Sequence, residues 1–154
     1  MDRDTQYMKR AIELAKGAAE NGEVPVGAVI VRGDTIVGEG ANMREGAKNA
    51  LAHAEICAID SACKKLGGWR LFDCELYVTL EPCPMCAGAI INSRIKRVVY
   101  GSKDSKAGAF GSVINLNSYP LNHKVELTDG ICSCECSELL SDFFAGLRKK
   151  MREK

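Results

Sequence analysis

The chain lacks an excess of charge of either sign: 21 Lys and Arg stand against 20 Asp and Glu, a formal net charge of +1. That excludes a polybasic protein but leaves room for a local basic patch. It also lacks an apolar run long enough to cross a bilayer, so no membrane association is expected. Residues 1–10 alternate charges without an apolar stretch, so no signal peptide is read and the expected compartment is the cytoplasm. Repeats, low-complexity tracts and linkers are missing, and 154 residues suit one domain spanning 1–154. Apolar residues, by contrast, make up 46%, enough to bury a core and too many for a disordered chain. In a reducing compartment the eight cysteines read as thiols or metal ligands rather than disulfides.

Apolar positions recur at helical spacing over 4–21 (Met8, Ala11, Ile12, Ala15, Ala18, Ala19), and Gly22 can stop that helix. Residues 26–31 and 35–40 read as two strands of a hairpin around the Arg32-Gly33-Asp34 turn. A polar loop at 43–51 leads to a helix over 53–66, with Ile56, Ile59, Ala62, Cys63 and Leu66 expected on its buried face. A strand over 75–80 follows, then a helix over 84–92 with Pro84 in its first turn. Next come a strand over 96–100, a Gly- and charge-rich loop to 112, a weak strand over 125–127 and an amphipathic helix over 137–151. This order predicts an α/β layer architecture, a central sheet covered by helices, with the later strands parallel through right-handed crossovers.

Two short strings carry chemistry: His53-Ala54-Glu55 and Pro82-Cys83-Pro84-Met85-Cys86. Imidazole and thiolate are good zinc ligands, and Cys-x-x-Cys lets two sulfurs reach one ion. His53, Cys83 and Cys86 supply three ligands; a structural zinc site closes with a fourth, whereas three leave a position for water. His53 and Glu55 are two residues apart and diverge inside a regular helix, so they can serve one centre only at its start. Two helix N-termini would then meet at the metal, where their free N–H groups favour thiolate. Glu55 is left as a spare carboxylate able to carry a proton from water to a ring nitrogen and a leaving amine. Taken alone, Cys-x-x-Cys is equally a redox pair or half of a structural zinc site, and His-x-Glu says little. Together and in this order they form a zinc-deaminase pattern.

Beyond those strings the chain resembles the bacterial tRNA-specific adenosine deaminases of the TadA type, within the cytidine deaminase-like superfamily. The resemblance runs through Glu23-Val24-Pro25-Val26-Gly27-Ala28, Ala52-His53-Ala54-Glu55 and Thr79-Leu80-Glu81-Pro82-Cys83. It continues through Ser93-Arg94-Ile95, Gly108-Ala109-Phe110-Gly111-Ser112 and Leu121-Asn122-His123. It implies a three-layer α/β/α fold on a mixed five-stranded sheet. It further implies one zinc ion per subunit on His53, Cys83 and Cys86, proton transfer by Glu55, and conversion of the wobble adenosine of a tRNA anticodon stem-loop to inosine. A homodimer with an RNA site drawing on both subunits is implied as well.

On the substrate side, the Asn42 amide can both donate and accept, as a purine edge requires. The resemblance makes it a base contact, while its position alone also fits a turn residue. Residues 92–108 carry Arg94, Lys96, Arg97, Lys103 and Lys106 against Asp104, and 148–154 carry five basic residues. The resemblance places Asp104 and Lys106 in a loop that contacts the anticodon region, and Asn122 as a further RNA contact; a plain solvated loop is the bland reading. Leu139, Leu140, Phe143, Phe144, Leu147 and Met151 form an apolar stripe read mainly as core. Phe144 and Arg148, four residues apart, are the expected exceptions, offering stacking and a phosphate contact. His123 is a candidate fourth ligand but better suits a structural or RNA-loop role. Cys132, Cys134 and Cys136 read as incidental thiols rather than a second metal site.

Three functions compete: an RNA-editing zinc deaminase, a zinc deaminase for a free base or nucleoside such as guanine, cytosine or cytidine, and a non-catalytic zinc-stabilised RNA-binding module. The basic loop and the Phe144/Arg148 helix favour the first.

Overall fold

The computed structural model describes residues 1–153. Lys154, the last of the expected C-terminal basic residues, lies outside them. Helix α1 (Arg3–Glu20) is capped by Asp2, whose carboxylate accepts the Thr5 N–H at 2.8 Å. Strands β1 (Gly27–Arg32) and β2 (Thr35–Ala41) form the expected hairpin. Helix α2 (Ala54–Leu66), strand β3 (Cys74–Leu80), helix α3 (Pro84–Asn92) and strand β4 (Arg97–Ser102) follow. Strand β5 (Glu126–Asp129) and helix α4 (Ser133–Arg152) complete the chain.

The five strands lie in the order β2-β1-β3-β4-β5. Strand β1 is antiparallel to both β2 and β3, whereas β3, β4 and β5 run parallel. The sheet is therefore mixed, as expected. One face is packed by α2 and α3 over Ala28, Ile30, Leu76, Val78 and Val98. The other is packed by α1 and the start of α4 over Val29, Val31, Tyr77 and Val99. These residues alternate along each strand, which is how a two-faced sheet buries both sides.

Two details depart from the sequence reading. In α2 the innermost residues are Ala54, Ala58 and Ala62, while Ile56, Ile59, Cys63 and Leu66 are half-buried. The cause lies in β2. A Cβ on Gly40 would fall 2.2 Å from the Ala54 carbonyl oxygen, and one on Gly38 would fall 2.5 Å from that of Ala58. Bare glycines let the helix backbone touch the strand, so only alanines fit between them.

Helix α4 begins four residues earlier than expected, and its stripe is mostly not core. Cys136 is the only fully buried residue along α4. Leu139, Leu140 and Phe143 are half-buried, and Phe144, Leu147 and Met151 are exposed. Twenty residues make a rod of about 30 Å, against about 20 Å for a six-residue strand such as β4. The C-terminal part of α4 therefore has no strand beneath it.

At the N-terminal end of the parallel strands, Arg97 ties the layers together. Its guanidinium meets Asp4 at 2.6 Å and Glu75 at 2.8 Å, and Arg3 meets Glu75 at 2.6 Å. Hydrogen bonds from Arg97 hold the Asp4 carboxyl below the usual carboxylate range. Burial works in the opposite direction at Glu75, but the bonds from Arg97 and Arg3 outweigh it and leave its pKa lowered.

Candidate active site

His53 is the N-cap of α2 and Cys83 the N-cap of α3, with extended backbone at both. Pro84 opens α3 with the fixed φ that a first helical turn accepts, and Cys86 follows in the same turn. The His53 Nδ1 atom lies 3.7 Å from the Cys83 sulfur and 3.6 Å from the Cys86 sulfur. All three donor atoms fall within 4.8 Å of one another. A tetrahedral ion with zinc's bond lengths to nitrogen and sulfur separates those two donors by about 3.6 Å. The trio thus fits a zinc-sized ion, and among the described residues it is the group able to hold one. His123 does not join it, because its Nε2 pairs with the Ile95 carbonyl oxygen at 2.6 Å.

The charges suit a cation. The Cys86 S–H hydrogen bond to Cys83, set against burial and helped by backbone amides at the helix start and by His53, lowers the Cys83 thiol to about 5. The Cys86 thiol is shifted upward by the neighbouring Cys83 sulfur and by burial. A bound cation would favour the thiolate form of both.

Glu55 occupies the first turn of α2 and is 4% exposed. Burial pushes its carboxyl up to about 7, and the neighbouring Cys83 charge adds to the rise. A carboxyl so placed exchanges protons near neutral pH, as a general acid–base group requires.

Glu55 lines a cavity of ≈ 220 Å³ with His53, Cys83, Asn42 and Asp104. The Asn42 side-chain oxygen accepts the Ala54 N–H at 2.9 Å, and its nitrogen donates to the Val24 carbonyl at 3.1 Å. One N–H and one lone pair of the amide remain for a ligand. A second cavity, of ≈ 400 Å³, shares Val24, Asn42 and Arg44 with the first and is walled by Phe143, Phe144 and Leu147 of α4.

Of the remaining sequence candidates, Lys106 is exposed on the loop after β4, and its backbone N–H bonds the Asp104 carboxylate at 3.0 Å. Arg148 is exposed one turn beyond Phe144. Asn122 stands apart, in a cavity bordered by Gly88, Asn92 and Arg94.

The sequence reading missed two buried carboxylates. Glu23 accepts the backbone N–H groups of Glu45 and Gly46 at 3.0 and 2.8 Å, and Glu81 accepts those of Asp104, Phe110 and Ser112 at 3.1–3.2 Å. Each ties one loop to the cavity's rim. Their partners are backbone amides far along the chain, and only Glu81, between Leu80 and Pro82, offered the signal of an acidic residue among apolar ones.

Comparison with known proteins bears on what this arrangement does. The family model of the MafB19-like deaminases matches residues 1–148. A tRNA-specific adenosine deaminase of Bacillus subtilis is 50% identical over 153 residues, covering 99% of this chain and 95% of the relative. A solved structure from studies of A-to-I editing by tRNA:A34 deaminases superposes with a TM-score of 0.86 at 41% identity, covering 88% of this chain and 99% of that one. A guanine deaminase of Bacillus subtilis superposes with a TM-score of 0.64 at 35% identity, covering 79% and 88%. With half its residues shared along nearly the whole length of one such enzyme, the chain belongs to the tRNA-specific adenosine deaminases, among the MafB19-like deaminases.

Proposed function

We propose that the chain is a single-domain, zinc-dependent hydrolase that converts adenosine to inosine at the wobble position of a tRNA anticodon loop. The observation that carries this reading is the buried Glu55 carboxyl in one small cavity with His53 and Cys83, with the Cys86 sulfur completing the donor trio. The 50% identical relative, named a tRNA-specific adenosine deaminase, supports the substrate.

His53, Cys83 and Cys86 would hold the zinc ion. Zinc supplies Lewis acidity that makes water a nucleophile near neutral pH. The chain's residues do the rest. The ≈ 220 Å³ cavity admits a heterocycle and little more, so the base must leave its stack to enter. The spare N–H and lone pair of Asn42 face a purine edge. Glu55 takes the proton of the attacking water, delivers it to ring N1, and passes a proton to the departing amine. The C6–N bond breaks, a C6–O bond replaces it, and one water yields one ammonia.

The second cavity supports RNA over a free base, because it extends the site from Asn42 toward Phe144. Phe144 would stack on a neighbouring base, and Lys106 and Arg148 would meet phosphates. Asp104 would contact the anticodon loop from the cavity wall, and Asn122 would serve RNA away from the target base. Half-exposed apolar residues on α2 and α3, including Ile56, Met85 and Ala89, support a homodimer. Among the described residues no helix is long and apolar enough to cross a membrane. The likeness to tRNA-modifying enzymes supports a cytoplasmic location.

The test is to incubate zinc-loaded protein with an anticodon stem-loop carrying a wobble adenosine, and separately with adenine, guanine, cytosine and cytidine. Inosine in the RNA is the expected product. Rapid deamination of a free base with the RNA untouched would replace this reading by the free-base one.

A further inference from the structure

The loop after β4 carries Asp104 and Lys106, yet it has no regular secondary structure through 103–112. Two side chains set its shape: the Asp104 carboxylate accepts the N–H groups of Lys106 and Ala107 within the loop, and Glu81 holds the loop from below. Glu81, 2% exposed, points its carboxylate into the loop and accepts the N–H groups of Asp104 at 3.1 Å, Phe110 at 3.1 Å and Ser112 at 3.2 Å, together with the Ser112 hydroxyl. Gly108 closes over it: a Cβ there would lie 2.4 Å from the carboxylate. The next peptide is tied as well, since the Ala109 N–H donates to the Pro82 carbonyl at 2.9 Å.

Four donors on one buried carboxylate make a strong, charge-assisted cluster. Its place in the chain matters as much as its strength. Glu81 precedes Cys83 by two residues and lines the same cavity as Asp104 and Ala107. The segment that presents a metal-ligand sulfur is therefore joined to the loop that would meet RNA.

We infer that Glu81 is a positioning residue for RNA binding: its carboxylate fixes the loop of Asp104 and Lys106 at the rim of the cavity, at a set distance from the metal-ligand sulfurs. This rests on the proposed RNA deaminase activity. A neutral amide cannot serve all four donors, and its own N–H groups would face N–H groups. The loop would then sample other shapes, and the binding cost of ordering it would appear when RNA docks.

The experiment compares wild type, Glu81→Gln, Gly108→Ala and Ser112→Ala for steady-state editing of an anticodon stem-loop, with zinc content and melting temperature measured on each. Glu81→Gln should raise KM on the order of tenfold to a hundredfold, with the loss falling on KM more than on kcat and zinc remaining stoichiometric. Gly108→Ala should do the same by crowding the carboxylate. Ser112→Ala, which removes one donor from an exposed residue, should raise KM about threefold with little change in melting temperature. A KM unchanged in all three variants would overturn the inference. So would a loss confined to melting temperature or zinc content. If Glu81→Gln does not fold, Ser112→Ala decides: an unchanged KM there defeats the idea. Wild type that edits no RNA would instead defeat the underlying activity, which separates the two failures.

Discussion

The side-chain oxygen of Asn42 accepts the backbone N–H of Ala54 at 2.9 Å, joining the residue after β2 to the first residue of α2. Ala54 sits between His53 and Glu55, so one amide helps aim the imidazole and the carboxyl. Asn42→Ala leaves the Ala54 N–H and the Val24 carbonyl without this partner in a buried site. It should lower stability by about 1–3 kcal/mol in urea unfolding and weaken RNA editing. A variant as stable as wild type would show that those bonds contribute nothing.

Glu55→Ala separates an enzyme from a zinc-stabilised RNA-binding module. Editing should fall by a factor on the order of 10² or more, with zinc content and RNA affinity close to wild type. Retention of editing by this variant would remove Glu55 from the proton path.

His53→Ala and Cys86→Ala should behave differently. Each removes one of three donors, so zinc should leave with the side chain, and chelation of wild type should give the same loss. Atomic absorption on the purified proteins checks this; a stoichiometric ion in both variants would contradict the ligand assignment.

Arg148→Ala should weaken binding of the stem-loop and reduce the steepness of log K against log salt, because a phosphate contact is lost. Titrations at several salt concentrations measure the slope. An unaltered slope would place Arg148 outside the RNA surface.

Acid stability should depend on Asp4 and Glu75. Both carboxyls have lower pKa values in the folded protein than in the unfolded chain, held down by Arg97 with Arg3 assisting. Their contribution is therefore complete above the unfolded values of about 4, and it drains away as pH falls through the lower folded values. Asp4→Asn should cost about 1–2 kcal/mol near neutral pH and flatten the acid limb of the stability curve. Equal acid sensitivity in the variant would place the effect elsewhere.

The grouping of His53, Cys83 and Cys86 was legible in the sequence because its geometry is local. His53 and Cys83 are extended residues at two helix starts, Cys86 follows in the first turn of the second helix, and Pro84 marks that start. The parallel direction of the later strands was legible for a similar reason, since helical crossovers impose it, as β3, β4 and β5 show. Three features were not. The inner face of α2 depends on how close Gly38 and Gly40 let the helix approach, a matter between two elements. The apolar stripe of α4 has the same period whether it lies on a sheet or passes beyond one, so periodicity could not assign Leu147 and Met151, which are exposed along with Phe144. Glu23 and Glu81 bond backbone amides, which carry no residue signature.

The decisive measurement takes zinc-loaded reactions of wild type and Glu55→Ala with a stem-loop whose one loop adenosine is at the wobble position, digests the RNA to nucleosides, and quantifies inosine and ammonia together. Wild type should give equal amounts of the two, and the variant almost none. Inosine formed equally by both proteins, or none formed by wild type, would contradict the account.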